Sequence, residues 1–364
     1  MLHDRLLFPR KLTRRDFLER TALGTTAAAL AAASPLTASA QATATAAPVT
    51  IGSGKWTYTL DESWGRLPDG MTYGFGCAVV VDGQDRVYVT SRSESPCVAV
   101  FDRDGKLLET WSKDFADKVH YTTAQVKATA HGLYWSKESD GEFFYFTENA
   151  GGGGGARVYK TDLGGKVLYE LGKGVAAGSA SQPFGFANPT DVAVAPNGDI
   201  YVVDGYGSQL VHRFDRNFKP LKTIGGPGTE HGKFKTCHGV WVSTLNAEPE
   251  VYIADRANNR LEVYSLDLDY KRTVPEMRNP CCLYQHAGHL YIPELGSRVS
   301  IIDAADTLVA HLGDGKGVKK EELAQHPEAF ATPHALAVDS RGDLYVVEWL
   351  PTGRPRKFRH TPQA

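Results

Sequence analysis

Asp199-Ile200-Tyr201-Val202-Val203-Asp204 is one of six copies of a short pattern that decides the fold. Each copy has a turn or small residue, an apolar residue, a tyrosine, an apolar or small residue and, usually, an acid three places after the tyrosine. The others are Arg86-Val87-Tyr88-Val89-Thr90-Ser91, Phe143-Phe144-Tyr145-Phe146-Thr147-Glu148, Glu250-Val251-Tyr252-Ile253-Ala254-Asp255, His289-Leu290-Tyr291-Ile292-Pro293-Glu294 and Asp343-Leu344-Tyr345-Val346-Val347-Glu348. The tyrosines stand 57, 56, 51, 39 and 54 residues apart, a period that marks a repeat architecture.

The same syntax surrounds each copy. A β-branched segment lies upstream (191–195, 239–242, 335–339), joined by tight-turn pairs such as Asp82-Gly83, Asn197-Gly198 and Arg341-Gly342. Downstream come a third strand (97–101, 157–159, 210–214, 260–264, 299–302), a turn and a fourth. Several short strands per repeat with no helical periodicity predict an all-β, six-bladed β-propeller of four-stranded blades. The segment 56–60 is expected to join the last blade and close the ring, which removes exposed sheet edges. One helix is expected, as an insertion near 319–324.

The chain divides into three parts on composition. Residues 1–40 carry a basic opening with Thr13-Arg14-Arg15-Asp16-Phe17-Leu18, an apolar run over 22–33 and the small residues Ala38-Ser39-Ala40, the form of a twin-arginine signal peptide. The expected partner of this segment is the twin-arginine export machinery, and the expected destination is periplasmic or secreted. Residues 41–54 read as a flexible leader and 55–364 as one propeller domain. The signal segment holds six Lys/Arg against three Asp/Glu, so its removal takes the formal net charge from −2 to −5. That balance excludes the basic footprint of a nucleic-acid binder, and no apolar run approaches the length of a membrane span. Five cysteines (Cys77, Cys97, Cys237, Cys281, Cys282) are too few for a disulfide framework and allow one bridge.

Nine to fourteen residues before each repeated tyrosine, at the head of each inner strand, stand Cys77, His131, Thr190, His238, Cys281 or Cys282, and His334. Histidine occupies alternate blades. Inner strands line a propeller's axis, so equivalent positions in alternate blades lie about 120° apart at one depth. One such histidine reads as a blade-consensus residue bonded within the sheet. Three in strict alternation form a trigonal ligand set with an open fourth place, suited to zinc, iron or another first-row divalent ion.

The copies Asn188-Pro189-Thr190-Asp191-Val192-Ala193-Val194, Val203-Asp204-Gly205-Tyr206-Gly207 and Ala254-Asp255-Arg256-Ala257-Asn258-Asn259-Arg260 resemble NHL-repeat propellers, and the peptidyl-α-hydroxyglycine α-amidating lyase family in particular, over about residues 65–360. The resemblance implies zinc on His131, His238 and His334, a catalytic tyrosine at Tyr206 and functional arginines at Arg92 and Arg256. One segment departs from the family's Met-Pro-His-Asp: here it is Thr332-Pro333-His334-Ala335. The aspartate that would serve the family's structural calcium is absent, and so is the methionine.

These residues suit the collapse of a carbinol centre. A metal eases ionisation of a bound hydroxyl. A tyrosine beside metal and arginines is expected to ionise more easily and to act as a base, while arginine forks orient a carboxylate or carbonyl. The expected substrate is a small molecule or a short peptide-like one. Two other readings remain: a lactone or ester hydrolase of the six-bladed type, whose axial calcium would prefer oxygen ligands, and a non-catalytic scaffold. The glycine run 151–155 reads as a hairpin. The repeated acids Asp204, Asp255, Glu294 and Glu348 read as blade-to-blade hydrogen-bonding groups.

Overall fold

The computed structural model describes residues 47–112, 114–115, 131–148, 156–172 and 185–363, all within the compact unit Ala47–Ala364. The signal segment and the glycine run lie outside the described residues.

Six antiparallel sheets follow one another along the chain. Blade 1 consists of Gly76–Val81, Val87–Ser91, Val98–Phe101 and Leu107–Trp111. Blade 2 consists of Gly132–Glu138, Gly141–Thr147, Val158–Asp162 and Val167–Leu171, and blade 3 of Asp191–Val194, Ile200–Val203, Leu210–Phe214 and Pro220–Gly225. Blade 4 is Cys237–Ser243, Glu250–Asp255, Arg260–Ser265 and Tyr270–Val274; blade 5 is Tyr284–His286, His289–Glu294, Arg298–Ile302 and Leu308–Leu312. Blade 6 takes Pro333–Val338, Leu344–Glu348 and Arg356–His360 from the end of the chain and Tyr58–Asp61 from its beginning, with Tyr58 opposite His360 and Asp61 opposite Lys357. The ring thus closes as the sequence predicts. Thr50–Ile51 adds a fifth strand to that sheet, so folded structure starts inside the stretch read as a leader.

Position within the blade explains the hydrophobic pattern. Second strands are sandwiched between neighbouring blades, and Val87–Ser91, Ile200–Val203 and Glu250–Asp255 are buried throughout. Fourth strands lie at the rim, where Leu108, Leu168, Leu221 and Leu308 are exposed. All six repeated tyrosines are buried, each ring contributing about 1.5–3 kcal/mol by leaving water. Their hydroxyls are all partnered. Tyr201 donates to the Leu266 carbonyl at 2.6 Å, Tyr252 to Asp306 at 2.7 Å and Tyr345 to Asp339 at 2.9 Å. Tyr145 reaches Glu138 at 2.8 Å, Tyr88 reaches Asp82 at 3.3 Å and Tyr291 meets Tyr58 at 3.2 Å.

The repeated acids brace the connections that enter the blades. Asp204 accepts from the main-chain N–H groups of Ala187 (3.0 Å) and Asn188 (2.6 Å), Asp255 from Lys235 (2.8 Å), and Glu348 from Ala331 (2.6 Å) and Thr332 (3.1 Å). Fully buried carboxylates need compensation. Arg260 supplies it to Asp255, Arg298 to Glu294 and Arg354 to Glu348. These acids fix the segments that lead into Thr190, His238 and His334.

The helix expected near 319–324 is a single 3₁₀ turn, Lys320–Glu322. Its sequence, Lys-Glu-Glu, offers no apolar face. Only Leu323 is buried, against Ala331 and Leu350, too little to offset helix nucleation.

Candidate metal centre

Inner strands of neighbouring blades pack around an axial cavity of ≈ 920 Å³, with His131, His238 and His334 among its lining residues. Local backbone irregularity aims the imidazoles. The inner-strand ladder of blade 4 skips His238 between Cys237 and Gly239, and that of blade 6 skips His334 between Pro333 and Ala335. Such bulges free one residue from the ladder and redirect its side chain. Thr236, two places before His238, is held at φ 66°, a costly conformation for a β-branched residue. It is pinned there because its N–H donates to Gln209 at 2.6 Å and its carbonyl accepts from the Arg256 N–H at 2.9 Å.

The three rings converge. One ligand atom from each lies within 4.8 Å of the others. Ring centroids are 4.9–5.2 Å apart with planes 71–90° to one another. Among the described residues this is the group of three or more His, Cys, Asp or Glu side chains gathered at metal-binding distance.

Each Nδ1 is tied to the head of the next blade. His131 donates to the Thr190 carbonyl at 2.8 Å, His238 to Cys281 at 2.8 Å and His334 to Cys77 at 2.6 Å. A carbonyl only accepts, so the proton sits on Nδ1 and Nε2 keeps its lone pair. The glycines after two of the histidines allow the approach: a Cβ on Gly132 would lie 2.5 Å from Thr190 O, and one on Gly239 would lie 2.3 Å from Cys281 O.

Nε2 of His131 and of His334 are buried and have no hydrogen-bond partner. A buried polar atom left unmatched costs about 1–3 kcal/mol. Burial drives all three imidazoles far toward the neutral, ligand-competent form, His334 down to about 3, with Arg92 and Arg256 adding to the effect. Orphaned lone pairs, a fixed tautomer and neutrality together fit a divalent ion bound by nitrogen.

The other residues singled out in the sequence surround this group. Tyr206 Oη lies 3.1 Å from His238 Nε2 and accepts from Arg256 Nη1 at 3.0 Å; the Arg256 guanidinium sits 5.1 Å from the Tyr206 ring centre. Arg92 sits 5.9 Å from the ring centre of Trp349, which stacks on His334 at 5.2 Å and 29°. Trp349 was missed by sequence reasoning, although a signal existed. It follows Glu348 directly, as Arg256 follows Asp255 and Arg92 follows Ser91.

Two expectations need correction. Burial raises the Tyr206 phenol above its ordinary range and outweighs the lowering by Arg256 and Arg92, so the chain's own charges do not make it readily ionised. The five thiols are all free, so the bridge allowed by the sequence is not formed. In blade 5 the head residue is Cys281, whose carbonyl serves His238.

Comparison with known proteins agrees with the repeat and the fold. An NHL-repeat model matches residues 186–214, the stretch that contains Thr190 and Tyr206. The chain is similar to human NHL repeat-containing protein 3, at 28% identity over 302 residues, covering 80% of this chain and 81% of that one. It is also similar to a probable peptidyl-alpha-hydroxyglycine alpha-amidating lyase of Caenorhabditis elegans, at 27% identity over 268 residues, 70% of this chain and 68% of that one. Among solved structures, a gluconolactonase of Xanthomonas campestris superposes with a TM-score of 0.58 at 12% identity, over 85% of this chain and 92% of that one. That last likeness is one of fold. The distant sequence relatives include amidating lyases, and enzymatic activity is consistent with them.

Proposed function

We propose that this protein is a metal-dependent lyase acting on a carbinol, a small or short peptide-like molecule whose carbon bears both a hydroxyl and an amide-type nitrogen. The observation that carries the reading is the convergence of one ring nitrogen from each of His131, His238 and His334, with Tyr206 Oη 3.1 Å from His238 Nε2. The similarity to an amidating lyase supports it. His131, His238 and His334 would hold zinc, iron or another first-row divalent ion. Such an ion supplies Lewis acidity that eases ionisation of the substrate hydroxyl.

The chain's own groups divide the remaining work. Arg92 and Arg256 are the cationic groups that bear on the imidazoles, so the site favours a carboxylate beside the carbinol carbon. Tyr206 carries the proton. As a phenolate, the form that Arg256 and Arg92 favour against burial, its Oη takes the hydroxyl proton and returns it to the departing nitrogen; O–H and C–N bonds break, C=O and N–H bonds form, and the atoms balance. Burial favours the phenol and Arg256 favours the phenolate, an opposition that suits a group passing a proton both ways. Export through the twin-arginine route to a periplasmic or secreted setting belongs to the same reading.

The test is an assay of metal-loaded protein on an N-acyl-α-hydroxyglycine, following release of the primary amide and of glyoxylate. Equal release of both products, lost in Tyr206→Phe, is the expected result. Metal-loaded protein that converts none of a panel of such carbinols would overturn the reading.

A further inference from the structure

The axial cavity extends away from the groups assigned to the carbinol site. Arg92, Tyr206, Arg256 and Trp349 each follow the second strand of a blade, which runs antiparallel to the inner strand and ends where that strand begins. They sit at the head side of the histidines, and none of them lines the cavity. From His131, His238 and His334 the cavity runs the other way, along the inner strands to their far ends, where the exposed Lys137, Asp140 and Thr244 form its rim. The histidines thus stand between two spaces, and the far one, at ≈ 920 Å³, has the size of a small-molecule site.

One acidic side chain stands in that space just past the histidines. Asp191 directly follows the head residue Thr190; the equivalent positions of the other blades hold Ala78, Gly132, Gly239, Cys282 and Ala335. Asp191 lines the cavity, is half-buried, and accepts from the Val240 N–H at 3.1 Å. Among the described residues no cation pairs with it, and burial pushes its carboxyl up to about 7.

Two places further along the inner strands, Tyr134, Trp241 and Tyr284 line the same cavity. The Trp241 ring centre lies 5.6 Å from that of Tyr134 and 5.4 Å from that of Tyr284, with planes at 58° and 44°. Both phenols donate to main-chain carbonyls, Tyr134 to Val194 at 3.2 Å and Tyr284 to Val338 at 3.0 Å. Their hydroxyls are therefore satisfied, and what they offer a ligand is the ring. Two residues of strand set the carboxylate and the rings about 7 Å apart along the axis.

We propose that the far side of the axial cavity is a second binding site, for an organic ammonium ion whose charge pairs with Asp191 and whose apolar body lies against Tyr134, Trp241 and Tyr284.

Charge and wall chemistry select that class. An unpaired carboxylate in a cavity shielded from water attracts a cation, and aromatic rings attract organic cations in particular. A hard metal ion is a poorer match. Calcium takes about six to eight oxygen ligands, and alanine, glycine and cysteine at the positions equivalent to Asp191 bring no side-chain oxygen. An anion would meet the carboxylate's repulsion, and a neutral molecule would leave it unpaired.

The experiment is calorimetric titration of the folded protein, as purified and after removal of metal by chelator. The probe is phenylpropyltrimethylammonium, whose nitrogen has no lone pair to give a metal, and phenylpropanol is its neutral comparison. The cation is expected to bind both preparations at about one equivalent, and the alcohol at least about tenfold more weakly. Asp191→Asn, which keeps an oxygen for the Val240 N–H, is expected to bring the cation down to the level of the alcohol. Trp241→Leu is expected to weaken the cation about fivefold. Equal affinity for cation and alcohol would overturn the proposal, because the cavity would then be merely apolar, and so would undiminished binding in Asp191→Asn. Calcium is titrated alone in parallel. Calcium that binds the wild type but not Asp191→Asn, with no binding of the ammonium ion, would assign the carboxylate to a metal ion instead. If Trp241→Leu does not fold, as judged by thermal unfolding, Asp191→Asn decides alone. The proposal does not rest on the lyase reading: a failed carbinol assay leaves these titrations intact, and failed titrations leave the carbinol assay intact.

Discussion

Nδ1 of His238 donates to the carbonyl oxygen of Cys281 at 2.8 Å, across the boundary between blades 4 and 5. His131 and His334 make the same bond to Thr190 and Cys77. Adjacent blades are thus joined three times around the axis by the residues that present nitrogen lone pairs to its centre. Outer hydrogen bonds of this kind fix tautomer and ring orientation, and losing them costs about 10- to 100-fold in metal affinity where they have been tested in other sites.

Gly239 guards that bond. A methyl group there would lie 2.3 Å from Cys281 O, and backbone cannot yield cheaply. Gly239→Ala is expected to cost about 1–3 kcal/mol of stability and to weaken zinc binding about tenfold or more, read by thermal unfolding and competition titration. An alanine variant with wild-type metal affinity would show that the carbonyl contact is dispensable.

Tyr206 touches a candidate ligand atom without being part of the converging set. Tyr206→Phe is expected to retain its metal and its melting temperature while losing about 10²–10⁴-fold in kcat. Elemental analysis of the same preparation used for kinetics separates this outcome from loss of the ion.

Much of this arrangement is legible in the sequence because blades repeat. Equivalent strands place equivalent residues at one depth, so alternation of His131, His238 and His334 with Cys77, Thr190 and Cys281 becomes a statement about angle around an axis. What lies beyond is hidden for physical reasons. The groups that orient the imidazoles are main-chain carbonyls, and any residue type supplies one. The protonation of Tyr206 depends on burial opposing two guanidiniums, a balance set only in three dimensions. Trp349 lies just outside the repeated pattern, one place past the acid. The segment expected as a helix near 319–324 makes only one turn because Leu323 is the one side chain it buries.

His212 supplies a pH dependence separate from the site. It is buried on the third strand of blade 3, with Nδ1 3.0 Å from Thr223 Oγ1, and burial lowers its pKa to about 4. Its folded pKa lies below the unfolded value of about 6.5, so between the two the unfolded chain binds more protons and stability falls as pH falls. The loss by pH 5 is about 2 kcal/mol. Denaturant unfolding at pH 7 and pH 5 should show that loss in the wild type and a smaller one in His212→Gln. Equal losses in both would contradict this assignment.

The most direct test is the metal content of folded protein purified without chelator, beside a variant with His131, His238 and His334 all changed to alanine. About one equivalent of zinc, iron or another first-row ion in the wild type, and none in the variant, is the expected result for three convergent nitrogen ligands. A wild-type protein that holds no such ion, and takes none up when zinc or iron is supplied, would contradict the metal centre and with it the lyase.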